Sequence, residues 1–194
     1  MIPHEIKIAL MMVGIGISRI TIKYIKDILA HKTKPHIYTW IIWFITQSIG
    51  VAGMWVGGGG VSRPTIGLFG LTVVIILSIK HGTKDITKLD MMLIVIALLW
   101  WMVDNPLWAV ILVSCIDTIY IPSFRKTFVD PQSETLMSWI GYCISNIFII
   151  LSLAEYNLLT TLYISIALVC NIVMVIIIIS RRSILRKDKP SILP

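Results

Sequence analysis

Six polar or charged side chains interrupt the long apolar runs of this chain: Arg19, Gln47, Thr72, Asp117, Asn146 and Asn171. Each falls near the middle of its run. Arg19 and Asp117 carry opposite charges, and an ionisable group deep in an apolar segment costs about 2.5–3.5 kcal/mol or more in lipid, so such groups pair or face a cavity. They are expected to form a charge pair whose making and breaking could couple to a proton. A purely structural salt bridge, or an Arg19 that snorkels to the surface beside Lys23, explains the same residues. Gln47, Asn146, Asn171 and Thr72 supply hydrogen-bonding edges. Singly, buried amides are explained as helix glue at about 0.6 kcal/mol each. Together at one depth they point to a substrate site. Trp40 and Trp139 lie about two turns away on the same segments, placed to stack on a ligand or to anchor at an interface.

Other chemistry is not supported. His4, His31, His36 and His81 have no metal-ligand spacing with Cys115, Cys143 or Cys170. Gly57–Gly60 lacks the Gly-Lys-Ser/Thr ending of a phosphate loop and reads as a flexible link. No Ser–Lys, Asp–Asp or His–Glu constellation stands at plausible spacing, so the chain reads as a non-enzyme without metal or cofactor.

The elements that must position these residues follow from composition. Of 194 residues, 57% are hydrophobic, above the usual share of about 45–50%. Mean hydropathy is +0.88, and several apolar runs approach the roughly 20 residues that cross a bilayer. Runs at about 6–28, 35–55, 64–80, 89–103, 106–124, 133–153 and 158–180 predict seven transmembrane helices. The class is all-α and polytopic.

A shift of 99 positions carries Trp40 onto Trp139, Gln47 onto Asn146, Thr72 onto Asn171 and Lys26 onto Arg125. The repeat predicts two parallel three-helix units, 1–80 and 106–180, joined by a linker helix at 81–105 and followed by a basic tail at 181–194. Net charge is +7, but its distribution follows loops and does not argue for nucleic acid. Nearly all Lys and Arg near run ends fall on one side, with Lys7 and Arg63 on the other. This predicts a multi-pass protein of the cell (cytoplasmic) membrane, with the N-terminus outside and the C-terminus in the cytoplasm.

Asp130-Pro131-Gln132-Ser133, and Lys32-Thr33-Lys34-Pro35 at the equivalent turn, give the layout its family likeness. The pattern resembles the PQ-loop and SWEET superfamily of seven-helix membrane proteins. The resemblance implies transport of a small polar solute by alternating access, with Asn171 at a substrate-contacting position and Thr72 where its counterpart would stand. Pro122 is the single clear match to the family's hinge prolines. A non-transporting receptor or assembly protein of the same fold is the second reading. The expected partners are a small-molecule substrate and the lipid bilayer, with homo-oligomerisation left open.

Overall fold

In the computed structural model, residues 3, 6–10, 13, 19–59, 62–85, 87–99, 103–117 and 121–187 are described. Apolar residues at helical spacing build α1 (Arg19–Leu29), α2 (Ile37–Val56), α3 (Ser62–His81), α4 (Lys88–Leu98), α5 (Pro106–Asp117) and α6 (Ile121–Val129). A 3-10 turn (Pro131–Ser133) leads into α7 (Leu136–Ser152), and α8 (Leu158–Lys187) completes the order. In α1, Tyr24 and Ile28 are four residues apart and fully buried, while Lys23 and Lys26 lie on the exposed side. α5 starts where Pro106 needs no N–H partner, and the Asn105 side chain accepts the Leu107 N–H at 2.9 Å.

The core is organised around α2. Trp40 and Trp43 pack with Tyr24, Ile28, Val74, Trp139 and Met174 at one end. Ile49 and Met54 pack with Val110, Val113, Ile149 and Tyr163 at the other. Ile42 turns to Leu93, Ala97 and Ile116 on the side of α4 and α5. Close approach at the second end depends on glycine. A Cβ at Gly50 would stand 2.5 Å from the Tyr163 ring, and one at Gly59 would stand 2.6 Å from Thr160 Cγ2. The glycine run is therefore a packing surface rather than a loose link: the Ala154 N–H donates to Gly59 O at 3.2 Å, and Asn157 Nδ2 donates to Gly57 O at 2.9 Å.

This architecture corrects the seven-span reading. Among the described residues, two helices are long and apolar enough to cross a membrane, Ile37–Val56 and Leu158–Arg186. Other apolar helices among the described residues, such as Leu136–Ser152, are shorter than the roughly 20 residues that cross a bilayer. Of the run at 106–124, the described residues belong to α5 (Pro106–Asp117) and the first part of α6 (Ile121–Val129). The chain is an all-α domain with a packed core and a buried ion pair, not a polytopic arrangement of two three-helix units.

The orientation argument falls for a related reason. Several cations counted as loop charges bind inside the protein. Lys126 pairs with Glu134 at 2.6 Å. Arg182 Nη2 donates to Pro131 O at 2.9 Å and to Glu134 O at 2.6 Å. Arg181 lies over the Phe128 ring, 4.2 Å from its centroid. Their positions report internal pairing, so the multi-pass localisation and the bilayer as partner are corrected with the spans.

Candidate functional site

A cavity of about 150 Å³ opens between α2, α3, α7 and α8, with Thr21 of α1 at its edge. Helical periodicity builds its walls. Trp40, Trp43, Gln47, Val51 and Met54 form one stripe of α2. Trp139, Tyr142, Asn146 and Ile149 form the matching stripe of α7, and α8 adds Tyr163, Ala167 and Asn171. Gly67 and Gly70 of α3 keep the remaining wall thin: a Cβ at Gly67 would stand 2.6 Å from Gln47 Nε2, and one at Gly70 would stand 3.0 Å from Thr21 Cγ2.

Five of the residues expected to bind a ligand meet here: Trp40, Gln47, Trp139, Asn146 and Asn171. Thr72 does not. It lies on the exposed face of α3, and its hydroxyl donates to Leu68 O at 2.9 Å. Its neighbour Leu71 faces the cavity instead. The side chains of Arg19, Asp117 and Pro122 lie outside the described residues.

The aromatic side chains form a series, tilted at its first pair and edge to face at the other three. Tyr24 and Trp40 have ring centroids 5.2 Å apart, Trp40 and Trp43 5.1 Å, Trp43 and Trp139 5.6 Å, and Trp139 and Tyr142 5.7 Å. Such T-shaped pairs set the negative ring face against a positive edge. Behind this wall is Glu134, 4% exposed. Its Oε2 accepts the Tyr24 hydroxyl at 3.2 Å and the Trp139 indole N–H at 3.1 Å. Its Oε1 takes Lys126 Nζ, which also donates to Lys34 O. Burial first, and then the Glu134 charge, push the Tyr24 hydroxyl well above the usual phenol range.

The same end carries further ties between turns that are distant in sequence. The Thr33 and Thr135 hydroxyls are 2.6 Å apart, Thr135 donates to Asp27 at 2.8 Å, and the Lys34 N–H donates to Ser133 O at 3.2 Å. Sequence reasoning passed over Glu134 and Lys126. The available signal was an acid directly before the start of a helix, eight residues after a lysine, with Trp139 one further turn on. No group of three or more His, Cys, Asp or Glu placed to hold a metal occurs among the described residues.

Compared with known proteins, the chain matches no family model, no curated protein and no solved structure. The resemblance to the PQ-loop and SWEET superfamily is thus corrected on two counts: nothing in that superfamily is matched, and its seven-helix frame is not the one this chain adopts. The transport reading and its receptor alternative, both built on that frame, go with it.

Proposed function

We propose that the protein binds a small, uncharged, ring-bearing molecule in the cavity between α2, α3, α7 and α8. The observation that carries this reading is the lining itself. Three carboxamides, Gln47, Asn146 and Asn171, converge with the rings of Trp40, Trp43, Trp139, Tyr142 and Tyr163, and no Lys, Arg, Asp or Glu lines the space among the described residues. A mostly apolar cavity with a few convergent polar groups is the usual form of a small-molecule site. A space of about 150 Å³ is of the size that admits benzene. An ionised guest would lose its hydration with no counter-charge to meet it. Ring faces supply contact area, and the amides, each both donor and acceptor, read a polar edge.

Benzamide tests it, titrated into the full chain with tryptophan fluorescence and calorimetry as readouts. The expected result is saturable 1:1 binding. Asn171→Leu and Gln47→Met should each weaken it about tenfold, the cost of leaving a buried polar group of the guest unmatched. Benzoate should not bind. No saturable signal from benzamide, phenol or cyclohexanecarboxamide removes the reading.

A further inference from the structure

We infer that Glu134 is the positioning residue of the cavity: one carboxylate oxygen pins two rings of the aromatic wall, Tyr24 and Trp139, and so sets how well that wall receives a ring. The inference rests on the binding reading for its ligand and on geometry for the rest. Starting from Oε2 of Glu134, the contacts run to the Tyr24 hydroxyl at 3.2 Å, then ring to ring through Trp40, Trp43 and Trp139, and back to the same Oε2 through the Trp139 N–H at 3.1 Å. The circuit closes on a single atom. Glu134 does not itself line the cavity, whereas Trp40, Trp43 and Trp139 do.

A carboxylate suits this task for a stated reason. It is an acceptor only, so two donors can share one oxygen while the other oxygen meets Lys126 at 2.6 Å. Charged acceptors hold donors about twice as firmly as neutral ones. Lys126 is 10% exposed at its side chain and Glu134 3%, so both charges are matched locally rather than by water. The polypeptide around the carboxylate is fixed as well, since Arg182 takes the carbonyls of Pro131 and Glu134. Tyr24 and Trp139 are therefore held on a rigid post. A ring that drifted by a fraction of its width would close or split the space beside it.

The test uses the full chain, with near-UV circular dichroism for the coupled indoles and benzamide affinity for the cavity. Glu134→Ala should lose the aromatic bands, keep the far-UV spectrum, and bind benzamide about tenfold more weakly. Glu134→Gln alone places an amide N–H₂ against the Lys126 ammonium and should disturb both readouts. Glu134→Gln combined with Lys126→Gln restores an acceptor for the two rings and a neutral pair behind it. That double variant should recover the bands and bring affinity to within about threefold of the parent.

A purely structural role predicts otherwise: lower melting temperatures with unchanged aromatic bands and unchanged affinity in the folded protein. That outcome overturns the inference. If Glu134→Ala does not fold, the comparison of Glu134→Gln with the double variant decides, and wild-type bands in both would overturn it. If the parent does not bind benzamide, the binding reading fails while the aromatic bands still judge the positioning of the rings.

Discussion

Asp27 illustrates how neighbours tune a single carboxylate. Burial works against its charged form, but the Thr135 hydroxyl at 2.8 Å and Lys23 at 3.2 Å outweigh that and hold its carboxyl below the ordinary value of 3.8. A lowered folded value means that the folded state binds fewer protons than the unfolded one. The resulting stability is fully present above pH 3.8 and is lost as pH falls through the lower folded value. Asp27→Asn should therefore be less stable than the parent at neutral pH, with the gap closing below that point. Urea unfolding at a series of pH values measures it. At this scale the sequence was partly legible. Trp40, Gln47, Trp139, Asn146 and Asn171 were legible as polar and aromatic interruptions at helical spacing within apolar runs, and the fold brings them to one cavity. Thr72 could not be placed, because one position around α3 exchanges cavity for exposed surface. Glu134 and Lys126 were hidden for another reason: a charge beside an apolar run looks the same whether it faces water or a buried partner.

Among the elements, the glycines of α2 set the spacing. Gly50→Ala puts a methyl 2.5 Å from the Tyr163 ring, which is buried and hemmed in. Overpacking of this kind costs about 1–3 kcal/mol and should lower the melting temperature measurably. Gly67→Ala is the informative contrast. Its methyl would meet the movable end of Gln47 at 2.6 Å, so stability should change little while benzamide affinity shifts. Thermal melts and the binding titration on both variants separate the two effects. Helix number and length were less legible than helix existence. An apolar run of 10–14 residues serves as a core helix as readily as part of a span. Pro106–Ile116 is such a run: composition alone does not tell whether it crosses a membrane or packs in a core, as Ala109, Val110 and Val113 do.

On the scale of the molecule, much apolar surface faces outward. Phe69 is 72% exposed, Ile76 60% and Ile176 56%, on the outer faces of α3 and α8. On α3, Phe69, Val73 and Ile76 follow one another at helical spacing and are all exposed, and a run of apolar surface of this sort marks a place of interaction. The native protein should bind an environment-sensitive apolar dye, and Ile76→Lys with Ile176→Lys should reduce the signal without loss of helix content. Unchanged fluorescence in that variant would show that the dye sits elsewhere, for example in the cavity.

The ties between the two turns have a temporal consequence. Tyr24 and Glu134 are 110 positions apart, Asp27 and Thr135 108, and Thr33 and Thr135 102. A ribosome adding about 5–20 residues per second needs roughly 5–20 seconds to cover such an interval. Throughout that time α1 exists with its hydroxyl and carboxylate partners not yet synthesised. The nascent chain spends those seconds half-assembled, and that interval is when a chaperone or a protease would find it.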